Sequence, residues 1–502
     1  MNRIKCSFVV IVWSLTALLS LPQGAQAKAK KKQDAEEQKN GDNEEETKSI
    51  AEVTEESDRI EGLFVLFRNR DNGKLHMLVR PDQTDKEFIY FRMIRDGVVE
   101  AGQTRGEFGS EAIFSVRRHF DRIEFVRENT AFYFDPDSAL SRAADANVSH
   151  AVLAVQKIVA EDKDTGEVLI EASPLFLTES FSRIKPNPSP HEGSDASFSL
   201  GSLSEEKSKI LEIHNYPQNT VVVVEYVYDK PEAVPAKGEE VTDPRFVSIS
   251  AQHSFIQVPD NDFQPRFGDP RIGFFVSRQT DLTSQDVAPY RDIITRWNLV
   301  KKNPGADLSE PVEPIVFWIE NTTPVELRPM IKRAGERWNL AFEKAGFKNA
   351  VVIEEQPDDA DWEAGDLRYN VLRWTSSPTP QYGGYGPSYY NPRTGQILGA
   401  DIMLEYVYLT NRLRYTELFE TAADPIGESR SLDPRRCSFG QRVHQGLLFG
   451  KVSQAVMHAT LEESNQLLED AVHSLIVHEM GHTRGLSHTM RASQMNGLEQ
   501  LT

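Results

Sequence analysis

The first half of the chain carries short apolar runs separated by turn residues, a pattern typical of β-strands. The clearest runs are Leu63–Phe67, Phe88–Ile94, Ile123–Val126, Ala131–Phe134 and the valine- and tyrosine-rich Thr220–Tyr228. Asp71–Gly73 and Asp164–Gly166 have the composition of hairpin loops. The pattern predicts a β-rich N-terminal region over residues 59–276, and no segment repeats at a fixed period.

After residue 313 the spacing of apolar positions changes. Strands are predicted at Ile315–Ile319, Ala350–Ile353, Asn370–Trp374 and Gln396–Leu404, and helices at Val325–Ala345 and Gln466–Val477. The predicted fold class is therefore α+β, with the β-rich region followed, over residues 314–502, by a twisted sheet backed by long helices. Residues 277–313 are predicted to connect the two parts. Just before them, Phe263–Phe275 contains two Pro-Arg units that fit an extended crossing.

The N-terminus has the features of an export signal. Met1–Lys5 is basic, Cys6–Leu21 is apolar but short for a membrane span, and Ala25–Ala27 offers a cleavage site between small residues. We predict a signal peptide over residues 1–27 and a periplasmic or secreted protein with no transmembrane segment after cleavage; a retained anchor is the alternative. Residues 28–58 are charged and lack aromatic side chains, which predicts a disordered linker.

Composition narrows the classes of partner. Of the 502 residues 39% are hydrophobic and 26% charged, which is ordinary for a globular protein, and the net charge of -20 argues against nucleic acid and anionic membranes. Removal of the signal leaves Cys437 alone, which excludes an intramolecular disulfide and a zinc site built on cysteines. Six N-terminal histidines, among them His253, lack metal-ligand spacing and are interpreted as ordinary surface or strand residues.

One stretch near the C-terminus carries candidate chemistry. Residues 478–488 read HEMGHTRGLSH and have the form H-E-x-x-H-x-x-G-x-x-H. On a helix His478 and His482 leave the same face, and Gly485 permits a left-handed turn that ends the helix and returns His488 as a third ligand. Three protein nitrogens with a water are typical of catalytic zinc, and Glu479 is placed to act as general base. The competing interpretation is a buried helix with ordinary histidines.

These residues resemble the metzincin clan of zinc endopeptidases. The resemblance runs from about Pro314 to the C-terminus, and the chain is similar to large exported bacterial zinc-dependent metalloproteases with a β-rich N-terminal region. It implies zinc bound by His478, His482 and His488, with Glu479 as base. In the clan a strand bordering the cleft binds extended peptide by main-chain hydrogen bonds. That role is expected for Gly399, Ala400, Asp401 and Ile402, with an interior hairpin as the alternative.

The sequence departs from the clan after the third histidine. Metzincins carry a methionine-bearing turn well beyond that position, whereas Met490 and Met495 follow His488 closely and lie in no recognisable turn. We therefore expect a catalytic domain that is incomplete at its C-terminus, with the ligand set intact and activity in question.

The sequence as a whole predicts a zinc-dependent endopeptidase acting on a protein or peptide substrate. The first alternative is a catalytically inert β-rich binding protein with a vestigial zinc site. The second is a zinc hydrolase that acts on a non-protein amide. For the N-terminal region, a removable pro-region or substrate-recruiting module and a structural platform remain open. Substrate preference and oligomeric state are not predicted.

Overall fold

The computed structural model describes residues 48–109, 111–186, 198–236, 238–378, 383–406, 439–458 and 460–489. The predicted signal peptide, most of the predicted linker, Cys437, Met490 and Met495 lie outside these ranges. Among the described residues, no helix has the length and apolar character needed to cross a membrane.

Strands are the main regular elements of the first half. The strands are β1 (Ser57–Ile60), β2 (Val65–Asn69), β3 (Leu75–Val79), β4 (Glu87–Asp96), β5 (Ala112–His119), β6 (Arg122–Arg127), β7 (Phe132–Tyr133), β8 (Ala151–Glu161), β9 (Val168–Glu171), β10 (Ser202–Leu203), β11 (Lys209–Tyr216), β12 (Asn219–Asp229) and β13 (Phe246–Gln257). The described residues of this part also form two short α-helices, α1 (Ile50–Thr54) and α2 (Ser173–Leu177), and 3-10 helices at Pro81–Gln83, Val99–Ala101 and Ala139–Ala143.

All of these strands except β7 form a 12-stranded sheet in the order β1-β2-β3-β9-β8-β6-β5-β4-β13-β12-β10, with β11 also paired to β12. Neighbours in the sheet are antiparallel, and the longest ladder joins β12 to β13 from Asn219↔Ile256 to Asp229↔Phe246. The amide of Leu63 also donates to the carbonyl of Tyr216 at 2.7 Å. The sheet therefore curls until the chain just before β2 meets the end of β11.

The curled sheet encloses a core rich in phenylalanine. Phe64, Phe88, Phe114, Phe125, Phe176 and Phe255 are buried there. Their rings meet at centroid distances such as 4.9 Å for Phe64 and Phe88, the range in which aromatic pairs are favourable. Burial of one phenylalanine contributes about 1.5–3 kcal/mol, so this cluster stabilises the fold of the first half.

A second, smaller sheet leads the chain toward the C-terminal half. β14 (Val276–Asp281) pairs antiparallel with β15 (Tyr290–Ile294) and parallel with β7, giving three strands in the order β15-β14-β7. Both new strands lie within the predicted connector, apart from the first residue of β14.

The third sheet has six strands. They are β16 (Ile315–Ile319), β17 (Val351–Glu355), β18 (Asn370–Thr375), β19 (Gly384–Tyr385), β20 (Ser388–Tyr390) and β21 (Ile397–Glu405). The order is β17-β16-β18-β21-β19, with β20 also paired to β21; the first four strands are parallel, and β19 and β20 run antiparallel to β21.

Four α-helices lie in the described part of this half. They are α3 (Arg328–Glu336), α4 (Asn339–Lys344), α5 (Phe439–Val456) and α6 (Leu461–His482), with a 3-10 helix at Val325–Leu327. Side chains of α3 and α6, including Ile331 and Ile476, share one buried cluster with Phe317 of β16 and Ile402 of β21. The other side of the sheet meets the 12-stranded sheet, where the rings of Tyr389 and Phe91 stack at 4.6 Å.

The predicted fold class is wrong. Strand accounts for 36% of the structure and helix for 20%, in large antiparallel sheets with few helices rather than a twisted sheet with long helices. The predicted helix Val325–Ala345 is a 3-10 turn followed by the short helices α3 and α4. It breaks near Trp338, whose ring nitrogen donates to the carbonyl of Val477 at 3.1 Å. A tertiary contact thus overrides a continuous helical pattern.

Candidate metal centre

The helix α6 carries the first two histidines of the motif. It begins with a capping box, in which the Thr460 hydroxyl accepts from the amide of Glu463 at 3.2 Å and the Glu463 carboxylate accepts from the amide of Thr460 at 2.7 Å. Such a cap stabilises a helix by about 1 kcal/mol. The helix ends at His482, so His478 and His482 occupy its last turns one above the other.

Gly485 turns the chain after the helix. Its φ of +86° lies in the left-handed region that glycine adopts without strain, and the amide of Leu486 donates to the carbonyl of Gly481 at 3.2 Å, closing the helix end. A Cβ at Gly485 would also lie 2.0 Å from the carbonyl oxygen of Thr295. Conformation and close packing therefore both require glycine here, and the turn leads directly to His488.

The structure brings His478, His482 and His488 together. One ligand atom from each lies within 4.8 Å of the others, and the ring centroids are 4.7, 5.1 and 4.7 Å apart. The Nε2 atoms of His478 and His488 face each other at 3.0 Å. Nitrogens that share one tetrahedral zinc at about 2.0–2.1 Å are about 3.3 Å apart, so this arrangement could hold a metal ion.

The protonation of the cluster suits a cation. His482 is buried, and its Nδ1–H donates to the carbonyl of Leu486 at 2.8 Å, which leaves Nε2 without the proton and available as a ligand. Burial, together with the neighbouring imidazoles, lowers the pKa of His478 to about 4. Burial also lowers the pKa of His482. Neutral imidazoles are the form that binds a metal.

Glu479 is completely buried beside this cluster. Neither of its carboxylate oxygens has a hydrogen-bond partner of normal geometry among the described residues. Burial raises the pKa of Glu479 to about 8, and the nearby backbone amide of Gly386 offsets only part of that effect. Burial of a carboxylate without hydrogen bonds costs free energy, so such groups are rare outside functional sites.

The strand β19 borders Glu479. A Cβ at Gly384 would lie 2.8 Å from the Cγ and Oε1 atoms of Glu479, and one at Gly386 would lie 2.5 Å from its carbonyl oxygen. Only glycine allows the backbone to approach the carboxylate so closely. The glycines of Gly383–Gly386 are a sequence signal for close approach, but no local pattern links them to Glu479.

The residues expected to bind extended peptide lie elsewhere. Gly399 and Ala400 pair with β20, and Asp401 and Ile402 pair with β18, so this part of β21 is interior. The amide of Asp401 also donates to the carbonyl of Pro387 at 3.2 Å. This segment has no free sheet edge to offer a peptide; the edge of the sheet beside Glu479 is β19.

Three aromatic side chains that the motif does not predict contact the centre or the end of the helix beside it. Phe439 stacks on His478 at 4.1 Å with an interplanar angle of 12°, and the ring of Phe275 lies 5.6 Å from that of His482. The ring nitrogen of Trp297 donates to the carbonyl of Thr483 at 2.8 Å. All three come from segments far from the motif in sequence, and no local pattern marks them.

Arg484 contacts the C-terminal end of α6. Its side chain is buried, donates to the carbonyl of Met480, and lies 5.0 Å from the ring centre of Trp338. Burial lowers the pKa of Arg484 to about 9. The motif is therefore held by contacts on several sides, including a cation–π contact.

Residues 109–302 match a protein family described as a domain of unknown function, DUF5117. No curated protein and no solved structure matches the chain. The match ends before the histidine motif, yet it includes Phe275, Thr295 and Trp297, which contact the C-terminal end of α6 and the turn after it. This similarity indicates no activity for the chain. A function can therefore be inferred only from the residues of the site.

Proposed function

We propose that the protein is a zinc-dependent endopeptidase. The observation that carries the proposal is the convergence of His478, His482 and His488 at the end of α6, with the buried Glu479 beside them. Three imidazole nitrogens form a donor set that suits zinc, and no cysteine or additional carboxylate joins this group among the described residues. The H-E-x-x-H-x-x-G-x-x-H motif, similar to that of metzincins, favours peptide hydrolysis.

The histidines and Glu479 have different roles in the proposed hydrolysis. The three histidines would hold zinc, which when bound supplies a Lewis acid that polarises a carbonyl oxygen and acidifies water. The carboxylate of Glu479 takes the proton of the attacking water and later delivers it to the leaving amine. Its burial excludes bulk water from this proton transfer.

The electrostatics of Glu479 fit this role when a cation is present. In the metal-free protein, burial raises its pKa to about 8, so the carboxyl is mostly protonated at neutral pH. A nearby positive charge favours the ionised form and lowers such a pKa. The ion that the histidines would hold thus also prepares Glu479 to act as a base.

The substrate class and the cellular location belong to the proposal. We propose a protein or peptide substrate reached after export, on the strength of the motif and of the signal features in residues 1–27. The inert β-rich binding protein predicts zinc without cleavage. The amide hydrolase predicts cleavage of small amides but not of polypeptides.

Cleavage of a denatured protein by wild type, Glu479→Gln and Glu469→Gln tests the activity. Glu469 lies on the same helix with its side chain half-exposed, so it serves as a matched control. We expect a loss of about 10²–10⁴-fold in Glu479→Gln, because a general base contributes that much, and none in Glu469→Gln. A wild type that binds zinc and cleaves no polypeptide would refute the endopeptidase.

A further inference from the structure

A strand segment from the N-terminal region pairs with the turn that carries the third ligand. We call Gly273–Phe275 the bridging segment. Its Phe274 faces Leu486 in an antiparallel bridge, the amide of Phe275 donates to the carbonyl of Gly485 at 2.7 Å, and the amide of Ser487 donates to the carbonyl of Gly273 at 3.3 Å. The two hydrogen bonds fix the backbone on both sides of Leu486.

Leu486 links this bridge to a second ligand. Its carbonyl accepts the Nδ1–H of His482 at 2.8 Å, the contact that orients the ring and leaves Nε2 for a metal. The bridging segment therefore helps to position two of the proposed ligands. It holds the carbonyl that orients His482 and the backbone that leads to His488.

The bridging segment also packs against the neighbours of His488. A Cβ at Gly273 would lie 3.0 Å from the hydroxyl oxygen of Ser487 and 3.1 Å from the Cβ of Thr489. These two residues flank His488 in the chain. A side chain at position 273 must therefore displace these neighbours of the third ligand.

The segment is itself fixed to the end of β15, within the range 109–302 that matches DUF5117. The amide of Thr295, just after β15, donates to the carbonyl of Phe275 at 2.9 Å. Gly485 packs against the carbonyl of the same Thr295. Residues 109–302 thus reach the metal centre through a continuous set of backbone contacts, and they are not a cover laid over it.

We infer that the bridging segment is a positioning element of the metal centre, so that the region similar to DUF5117 is retained in the working protein and is not a pro-region removed on activation. The inference rests on the proposed metal site. Removal of the segment would leave the carbonyl of Gly485 and the amide of Ser487 without these partners and would free the turn that carries His488. Outer contacts of this kind are worth about 10–100-fold in metal affinity.

Gly273→Val, Gly268→Val and His488→Ala in the full chain test the inference. A Cβ at Gly268, just ahead of the bridging segment, would meet nothing nearer than 3.4 Å, so Gly268→Val is the matched control. Zinc affinity is measured by competition with a chelator, and the absorption spectrum of the cobalt-substituted protein reports the number of nitrogen ligands. The unfolding free energy of each metal-free variant is measured in parallel.

We expect Gly273→Val to bind zinc about 10–100-fold more weakly than wild type and to shift the cobalt spectrum toward that of His488→Ala. Gly268→Val should match wild type in both. Gly273→Ala, which requires its neighbours to move by only a few tenths of an ångström, should show a smaller loss in the same direction and decides the matter if the valine variant does not fold.

Failure of the proposed metal site and failure of the inference would give different results. A wild type that binds no zinc or cobalt refutes the proposed metal site itself. A wild type that binds the metal, with folded Gly273 variants of equal affinity and unchanged cobalt spectrum, overturns the inference and leaves the metal site standing. Isolation of active protein from which residues 109–302 have been cleaved and lost would overturn it as well.

Discussion

Phe439 lies face to face with His478, with ring centroids 4.1 Å apart and planes 12° from parallel. Phe439 is the first residue of α5, and Gly440 behind it packs on Gly383 next to β19. One turn of α5 thus touches a proposed ligand and the strand edge beside Glu479. Burial is the main cause of the low pKa of His478, and this ring supplies part of it.

Phe439→Ala should raise the pKa of His478 in the metal-free protein from about 4 toward 6.5, because the imidazole regains water on one face. Phe449→Ala is the matched control, since Phe449 lies on the same helix and is 76% exposed. NMR titration of the imidazole Cε1–H signals measures both. An unchanged pKa in Phe439→Ala would show that the ring does not shield His478.

Gly384→Ala should impair hydrolysis while leaving zinc bound. The added methyl would lie 2.8 Å from the side chain of Glu479 and must displace either the carboxylate or β19. We expect a fall in kcat of at least about tenfold, since small misplacements of a base are costly. Gly446→Ala, on α5 with open space around it, should keep full activity. Equal kcat in the two variants would show that this approach does not matter.

Asp401→Asn should stabilise the protein at neutral pH. Burial raises the pKa of Asp401 to about 6, although Arg373 and the amide of Val371 lower it. A carboxyl with a raised pKa favours the folded state below about pH 4 and loses that contribution as pH rises through 6. We expect a gain of up to about 3 kcal/mol at pH 7.5 and none at pH 3.5. Urea unfolding at both pH values measures it, and a loss at pH 7.5 would show that Arg373 needs the charge.

His253 should make stability fall in acid. It is fully buried between Tyr90 and Tyr226, whose hydroxyls lie 2.9 and 2.6 Å from its two ring nitrogens. Tyr226 donates its own proton to the carbonyl of Phe176 at 2.7 Å, so its oxygen accepts from Nε2–H and Tyr90 donates to Nδ1. This arrangement holds the imidazole neutral, and burial lowers its pKa to about 3.

Between pH 6.5 and 3 the unfolded chain protonates this histidine and the folded chain does not. The stability difference between wild type and His253→Gln should therefore shrink as pH falls, by up to about 1.4 kcal/mol per pH unit. Denaturant unfolding at several pH values checks the slope. A constant difference across this range would mean that the folded protein takes up the proton.

Local patterns predicted the strands well, because a short apolar run between turn residues can adopt few other structures. The runs Phe88–Ile94, Ile123–Val126 and Thr220–Tyr228 fall within β4, β6 and β12, and Asp164–Gly166 joins β8 to β9. The residues at 315–319 are β16. What failed was the helical continuity through Trp338, where a contact with Val477 from a distant helix decides the outcome.

The candidate site also contains residues that local patterns predict and residues that they do not. The spacing of the motif placed three histidines and Glu479 because an α-helix and one glycine turn relate them locally. Gly273–Phe275 and Phe439 join the centre through pairing and stacking between distant segments, which no local period encodes. The expected peptide-binding strand lies inside the sheet because β20 and β19 fold back on β21, a register set by the tertiary structure.

The metal content of the purified protein tests the central claim most directly. Mass spectrometry of wild type, His482→Ala and His473→Ala should find one zinc per chain in the first and third and none in the second, because His482 is a proposed ligand and His473 is not. Circular dichroism should show the same fold in all three. Wild-type protein that holds no zinc after exposure to it, or His482→Ala that holds as much, would contradict the metal centre.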